Sequence, residues 1–295
     1  MSIKSAYMYG SGNGTTLEDA LGNNDLTLQR LPLTATTWST TVIPKFHGDA
    51  PGGTFYSYNH DSTQSTNYWK KGSDFGSRIY NDFSVTMLVK PKDITMTVDE
   101  DAFEYHPFST GDAVTTNCFQ INWKKETAGV GPSDFKWEVE CGTKYPIKTF
   151  SSIGIADILQ VNRWQFIGVS MNRGTDSSDS RDLTNVKLNT YWGYEWDPAQ
   201  SGPYTPVLGQ YTYTSVTSPS LLAVNLWAWD NIKIGTDRVA LGTLFKDGNI
   251  TLVRIWDRQL TDDEMFNVYK YNNINGASGA FGDPHILTFK NEFYD

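Results

Sequence analysis

The sequence has 295 residues, of which 39% are hydrophobic and 14% aromatic, so the chain can bury a large core and is long enough for one large all-β domain. Its formal net charge is -9 and it contains no long cluster of Lys and Arg, which argues against a nucleic-acid partner. No apolar run reaches the length of a signal peptide or a membrane helix, so we expect no direct insertion into a bilayer.

Residues 1–24 are rich in Gly, Ser, Asn and Thr, most densely over residues 10–14. Such a composition favours an extended or mobile lead-in over a packed element, so we predict a flexible N-terminal arm. From residue 25 onward, short strand-like runs alternate with turn clusters of Gly, Pro, Ser and Asp. This alternation of short strands and turns is typical of an antiparallel sandwich.

Two segments predict strands with different surroundings. From Asp82 to Val89, apolar residues alternate with polar ones such as Ser84 and Thr86, which predicts a strand with one solvated face. From Trp164 to Val169, apolar residues occupy odd and even positions alike, and so would lie on both faces of a strand. That pattern predicts a central strand covered on both sides.

The two cysteines, Cys118 and Cys141, flank a predicted hairpin with strands over residues 119–124 and 135–140 and a Gly/Pro turn between them. Their nearly symmetric placement about the turn allows a cross-strand disulfide. Such a disulfide would indicate an oxidising compartment, whereas the alternative is a pair of buried free thiols on neighbouring strands. The sequence leaves both open.

A strand pattern changes to a helix pattern between Gly248 and Phe266. Thr261 and Glu264 have the spacing of a capping box, and acidic residues fill the first turn, so we predict a short helix that runs to about Lys270. The apolar positions of the preceding strand and its end are Ile250, Val253, Ile255 and Leu260.

This order resembles the closing element of laminin-G-like, concanavalin A-type jelly-roll domains, in which a strand of the form I-x-x-V-x-I-[WY] precedes an L-[ST]-x-x-E helix. Residues 82–91 resemble the first long core strand of that family, and residues 162–170 resemble its central W-x-F strand. Residues 186–192 and 232–235 would be two later strands. The resemblance covers residues 25–272 and implies an all-β, antiparallel two-sheet jelly-roll sandwich with one short C-terminal helix.

A polar linker over residues 273–280 leads to residues 281–295, whose Gly-Asp-Pro-His-Ile string resembles the start of von Willebrand factor type D modules. Some members of that family cleave themselves between Asp and Pro. The resemblance implies Asp283 as the attacking group, the Pro284 nitrogen as the leaving amine and His285 as a candidate proton donor. The alternative is an ordinary strand start. A lectin-like domain followed by this string also resembles structural proteins of large algal viruses.

Glycoside hydrolases of the jelly-roll type need two carboxylates that project from one strand. The nearest match, Asp99 to Glu104, begins with Asp instead of Glu and lies beyond a predicted strand end, so an acidic surface loop fits it better. The four histidines are too far apart for a zinc pair. We therefore expect no enzymatic centre, and a glycoside hydrolase with a degenerate acid motif is the alternative.

Sugar binding needs aromatic rings that stack on pyranose faces beside polar groups that take the hydroxyls. The alternative for each such ring is a core position in a large sandwich. The candidate carbohydrate-binding residues are Trp192, Tyr194, Trp196, Tyr204, Trp227 and Trp229. The family resemblance also implies calcium, for which one polar loop offers Asp176, Asp179 and Asp182.

These features together predict a non-catalytic carbohydrate-binding or adhesion module of an extracellular, cell-surface or virion structural protein. Its expected partners are glycans or glycoproteins and other copies or subunits of a surface assembly. A purely architectural protein that packs on neighbouring subunits is the second alternative.

Overall fold

The structure is a computed structural model. It describes residues 3–7, 16–20, 24–29, 38–42, 54–60, 68–70, 82–91, 104–110, 119–125, 135–141, 146–150, 163–172, 187–195, 209–214, 232–235, 248–270, 286–287 and 293–294. The elements are β1 (Ile3–Tyr7), β2 (Thr16–Leu17), β3 (Leu26–Gln29), β4 (Trp38–Val42), β5 (Thr54–His60), β6 (Tyr68–Lys70), β7 (Phe83–Pro91), β8 (Glu104–Thr110), β9 (Phe119–Lys125), β10 (Phe135–Cys141), β11 (Pro146–Phe150), β12 (Gln165–Asn172), β13 (Lys187–Tyr194), β14 (Gly209–Thr214), β15 (Ile232–Ile234), β16 (Gly248–Trp256), α1 (Asp262–Lys270), β17 (Ile286–Leu287) and β18 (Phe293–Tyr294).

The described strands form two antiparallel sheets and a separate hairpin of β17 and β18. The first sheet has the order β14-β13-β12-β7-β16-β5-β4, and β1 also pairs with β16. The second sheet has the order β11-β10-β9-β8-β15-β6-β3-β2. Together with the short helix α1, these sheets confirm the predicted all-β class, and the strands expected over residues 186–192 and 232–235 are present as β13 and β15.

Strand β7 lies between β12 and β16 and is buried on both faces. Val85 and Met87 have no exposed surface on one face, and Ser84 and Thr86 have none on the other. The prediction of one solvated face is therefore wrong for this strand. The segment that leads into α1 covers the polar side: Ser84 Oγ accepts the Leu260 N–H at 2.8 Å and donates to the carbonyl of residue 258 at 2.9 Å.

The neighbouring strand β12 confirms the prediction of a strand covered on both sides. Every residue from Trp164 to Ser170 is buried, whichever face it occupies. Phe166 lies on the face that α1 covers, in one apolar cluster with Leu88 and Met265. Ile167 lies on the opposite face, in the interior of the sandwich.

Helix α1 and its predicted cap are confirmed. The Thr261 N–H donates to Glu264 Oε2 at 2.9 Å, and the Glu264 N–H donates to Thr261 Oγ1 at 3.3 Å. The helix lies against two glycines of the first sheet. A Cβ at Gly168 would lie 2.7 Å from Met265 Sδ, and one at Gly193 would lie 2.5 Å from Cε2 of Tyr269.

Strand β16 organises the first sheet. Its first residues pair with β5, its last residues pair with β1, and β7 runs along its other edge. The predicted apolar positions of this strand are fully buried. Between Thr251 and Arg254 the register with β7 shifts by one, so that Leu252 and Val253 together oppose one residue of β7. Leu252 adopts a φ of 50°, which is uncommon for a residue other than glycine.

The predicted N-terminal arm is instead partly built into the sandwich. Strand β1 pairs with β16, and the side chains of Ser5 and Tyr7 are fully buried. Asp19 ties the following segment to β1, because its carboxylate accepts Ser5 Oγ at 3.0 Å and the N–H of residue 6 at 2.9 Å. Burial, and then the nearby Asp19 charge, raise the pKa of Tyr7 well above its ordinary value. The composition of residues 1–24 gave no sign of this pairing, because it depends on a partner strand near the other end of the chain.

The predicted hairpin is present as β9 and β10, with Cys141 opposite Phe119. Cys118 lies outside the described residues, so the disulfide stays a prediction. Near the C-terminus, β17 and β18 pair as Ile286 with Tyr294 and Leu287 with Phe293. The residues proposed for self-cleavage, Asp283, Pro284 and His285, also lie outside the described residues.

Substitution of Gly193 by Ala is expected to destabilise the protein by about 1–3 kcal/mol, because the added methyl would overlap the Tyr269 ring. Urea unfolding should show a smaller penalty for the same change in a Tyr269→Leu background. A coupling of at least about 0.5 kcal/mol between the two sites is expected. Equal penalties in both backgrounds would contradict the close docking of α1.

In a strand, a Gly variant is usually less stable than the Ala variant at the same position. We expect the reverse at Leu252. Leu252→Ala should cost about 2–5 kcal/mol through lost burial. Leu252→Gly should be more stable than Leu252→Ala by about 1 kcal/mol, because glycine relieves the positive φ. As a control, Ile255→Gly should be less stable than Ile255→Ala. Denaturant titrations measure both pairs, and the same order at both positions would contradict the strain at Leu252.

Candidate functional site

Two of the predicted sugar-binding residues lie side by side on β13. Trp192 pairs with Ile167 and Tyr194 pairs with Gln165, so both belong to the face of β13 that points away from α1. We call this the aromatic face. The other candidates, Trp196, Tyr204, Trp227 and Trp229, lie outside the described residues.

The inner part of the aromatic face is closed. Trp192 keeps 9% of its surface exposed, and Gln165 keeps 1%. The Trp192 ring therefore has little surface on which a sugar could stack. Nothing is described of the Tyr194 side chain, so contact of Tyr194 or Trp196 with a ligand stays a prediction.

The end of β13 is held to the start of β12 by three hydrogen bonds. The Glu195 N–H donates to the Trp164 carbonyl at 3.0 Å. The Trp164 N–H donates to Glu195 Oε1 at 3.2 Å, and Arg163 Nη2 donates to the Glu195 carbonyl at 2.6 Å. We call Arg163, Trp164 and Glu195 the strand-end clamp. Of the three clamp residues, Glu195 lies between Tyr194 and Trp196 in the sequence, so the clamp holds the backbone directly after Tyr194.

The clamp brings a cation and an anion together at the surface. Arg163 and Glu195 are both partly exposed, and their charges are opposite. Guanidinium groups donate and carboxylates accept hydrogen bonds, which are the two roles that sugar hydroxyls require of a binding site. The two residues together carry no net formal charge.

Neither clamp residue was among the candidates from the sequence. Their only signal is position: Arg163 directly precedes the W-x-F strand, and Glu195 stands between two aromatic residues. The register that brings them together, with Gln165 opposite Tyr194, is not evident from the sequence.

The opposite face of β13 is covered by α1. Tyr191 is 1% exposed, and its hydroxyl donates to Asp262 Oδ1 at 2.7 Å and lies 3.5 Å from Ser170 Oγ. Burial raises the pKa of Tyr191 to about 12, and the hydrogen bond to Asp262 acts in the same direction. The phenol is therefore neutral near pH 7, and it holds the start of α1 against the sheet.

A bidentate ion pair stabilises the first turn of α1. Arg258 Nη1 and Nη2 donate to the two carboxylate oxygens of Glu264 at 2.6 and 2.8 Å. Burial alone would raise the pKa of Glu264, but the hydrogen bonds from Arg258 and from the Thr261 backbone outweigh it and hold that pKa below its ordinary value of 4.5. Glu264 is therefore ionised near neutral pH.

The described part of the chain contains no group of three His, Cys, Asp or Glu side chains that could hold a metal ion. The loop residues for which calcium is predicted, Asp176, Asp179 and Asp182, lie outside it. Among the described residues, no helix has both the length and the apolarity to cross a bilayer.

Neither a family model nor a curated protein matches this sequence. Among solved structures, domain 4 of AbnA, a GH43 extracellular arabinanase from Geobacillus stearothermophilus in complex with arabinotriose, is similar with a TM-score of 0.48 and 14% identity, covering 91% of this chain and 98% of that domain. The binding domain of botulinum neurotoxin serotype D has a TM-score of 0.48 and 11% identity, covering 92% of this chain and 53% of the other.

A mutant of Trypanosoma rangeli sialidase that displays trans-sialidase activity has a TM-score of 0.47 and 11% identity, covering 92% of this chain and 33% of the sialidase. This chain thus spans nearly the whole arabinanase domain but much less of the other two structures. Since all three scores lie below 0.5, these likenesses assign neither a family nor an activity.

Substitution of Glu264 by Gln is expected to destabilise the protein at pH 7 by about 1–2 kcal/mol, because it removes one charge of a hydrogen-bonded ion pair. A lowered pKa in the folded state means that ionised Glu264 stabilises the fold above pH 4.5 and that this contribution is lost as the pH falls further. The difference between wild type and Glu264→Gln should therefore shrink in unfolding curves recorded toward pH 3.

Asp263→Asn provides the control, since it removes a first-turn charge without breaking the Arg258 ion pair. Its penalty at pH 7 should stay below about 0.5 kcal/mol. A pH-independent difference between wild type and Glu264→Gln would contradict the assigned role of the charge.

Proposed function

We propose that this protein is a non-catalytic carbohydrate-binding or adhesion module of a surface or virion structural protein, and that it binds glycans at the outer end of the aromatic face. The proposed contact residues are Tyr194 and Trp196, and Arg163 and Glu195 lie partly exposed at the same strand end. Trp227, Trp229 and Tyr204 stay further candidates.

The strand-end clamp is the observation that carries this proposal. Sugar recognition requires aromatic rings and polar groups at fixed relative positions, since hydroxyl groups are read by directional hydrogen bonds. The clamp supplies a donor and an acceptor at the same strand end where the sequence alternates Trp192, Tyr194 and Trp196.

The charges favour neutral glycans over acidic ones. The chain has a formal net charge of -9, which repels polyanionic ligands over distances of about 10 Å at 0.1 M salt. The clamp contains one cation, Arg163, and one anion, Glu195, so its formal net charge is zero. Arg163 therefore provides no surplus positive charge with which to attract a sialic or uronic acid.

The absence of catalysis is part of the proposal. Glycoside hydrolysis uses a pair of carboxylates on either side of the scissile bond. The contacts that define the clamp among the described residues involve one carboxylate, that of Glu195, and its Oε1 accepts the Trp164 N–H. This arrangement favours a role in holding the strand end over proton transfer to a substrate.

A glycan array of the wild-type protein, screened with and without calcium, is expected to show binding to neutral glycans. Calorimetry on the strongest ligand should show that Tyr194→Ala and Trp196→Ala each weaken affinity about tenfold, as expected for the loss of a stacking ring worth about 1.5 kcal/mol. The affinity should change by less than about twofold between 0.05 and 0.5 M NaCl.

Tyr191→Phe is the matched control, because it alters an aromatic residue of the same strand on the covered face. Its affinity should stay within about twofold of wild type. An array without any bound glycan, with or without calcium, would favour the architectural alternative. Release of reducing sugar from a bound glycan would favour the glycoside hydrolase alternative.

A further inference from the structure

We propose that Asp19 and Ala20 close the outer edge of strand β1 and thereby prevent this edge from pairing with a second copy of the chain. We call these two residues the edge cover. Their role concerns self-association, and it is independent of the proposed glycan site, which lies on other strands of the first sheet.

Strand β1 is the neighbour of only one half of β16. Residues 248–250 of β16 pair with β5 and residues 253–256 pair with β1, while β7 runs along the other edge of β16. One edge of β1 therefore lies in the ladder with β16. The backbone N–H and C=O groups of its outer edge need partners of their own, and an open edge of this kind is a template for pairing with another chain.

The edge cover supplies partners for both backbone groups of Ala6. The Ala6 N–H donates to Asp19 Oδ1 at 2.9 Å, and the Ala6 carbonyl accepts the Ala20 N–H at 2.9 Å. Tyr7 and Asp19 form an antiparallel bridge at the same place. Because the N–H and C=O of one strand residue point toward the same edge, residues 19–20 run along the outer edge of β1.

A buried polar network holds the Asp19 side chain in this position. Its second oxygen, Oδ2, accepts the Ser5 hydroxyl at 3.0 Å, and Ser5 Oγ accepts Asn24 Nδ2 at 3.0 Å. The Tyr7 hydroxyl donates to the Asn24 carbonyl at 3.0 Å. All four side chains are buried. A carboxylate that receives buried donors at both oxygens is held firmly against the Ala6 N–H.

The edge cover is also anchored in the second sheet. Strand β2, which pairs with β3, ends at Leu17, and Leu17 lies opposite Leu26 in the core. Only two residues further along the chain, Asp19 bonds to β1 in the first sheet. The segment from β2 to Ala20 therefore joins the two sheets directly beside the edge that it closes.

A second copy of this chain is the partner that an uncovered β1 edge would fit. Two identical strands can pair antiparallel about a two-fold axis, so this edge is complementary to itself. With the cover in place, the N–H and C=O of residue 6 are already bonded within the chain and cannot pair with another molecule. The edge cover thus keeps this part of the first sheet monomeric.

The test compares Asp19→Ala with Asp19→Asn. Alanine removes the acceptor of the Ala6 N–H, whereas the amide oxygen of asparagine can still accept it. At low protein concentration, NMR hydrogen exchange of the residue 6 amide should be about tenfold faster in Asp19→Ala and within about twofold of wild type in Asp19→Asn. Amides of residues 166–169 in β12 should exchange as in the wild type.

Self-association is the second measurement. Sedimentation velocity over a concentration series should show more dimer for Asp19→Ala than for the wild type, and exchange of residue 6 should slow again as this dimer forms. Glu18→Ala is the matched control, because it removes a neighbouring carboxylate that is exposed. It should match the wild type in both measurements.

Ser5→Ala keeps the test decisive if Asp19→Ala does not fold. It removes the donor to Oδ2 but leaves the Asp19 acceptor, so the residue 6 amide should exchange about threefold faster, with a smaller gain in dimer. Wild-type exchange at residue 6 in the folded alanine variants would overturn the proposal. A dimer that leaves residue 6 unprotected would also overturn it, as would an equal increase in exchange across β12.

Discussion

Burial of both faces of the central strands is the constraint on which this structure depends. Strands β7 and β12 lie inside the first sheet, and their residues are covered whichever way they point. One side is covered by the interior of the sandwich and the other by α1, which fits because Gly168 and Gly193 leave room for Met265 and Tyr269. Ser84 can be buried on this side because its hydroxyl accepts the Leu260 N–H and donates to the carbonyl of residue 258, both in the segment that leads into α1. Without α1, this face of the sheet would expose a large apolar surface.

The same cover determines where a ligand could bind. Residues 189–193 of β13 are buried on both faces, by α1 on one side and by the interior of the sandwich on the other, so the proposed ligand contact falls at the end of this strand. The strand-end clamp then connects the scaffold with the proposed function. A rigid sheet orders the backbone up to Glu195, and the Arg163 side chain orders the carbonyl where the ladder ends. Binding residues are commonly carried on loops that a rigid scaffold positions in this way.

Much of the fold could be predicted from local patterns. The capping box, the acidic first turn and the apolar positions before it lie within twenty consecutive residues, and the structure confirms all three. Features that depend on distant partners could not be predicted. Ser84 and Thr86 have the pattern of a solvated face but are covered by a segment far along the chain, and the Gly-rich N-terminus gave no sign that β1 pairs with β16. The strand-end clamp was missed for the same reason, since it depends on the register of β12 against β13.

The position of β16 has a consequence for how the protein is made. Ile3 pairs with Trp256, and the same strand also pairs with residues 58–60 and 84–91, so contacts at the centre of the sheet join the beginning of the chain to its last third. A ribosome must therefore synthesise most of the polypeptide before the first sheet can close. Until then, the edges of β1, β5 and β7 lack their common neighbour and can pair with other nascent chains. Such high contact order also predicts slow folding, so chaperones that shield strand edges during synthesis should raise the yield of folded protein.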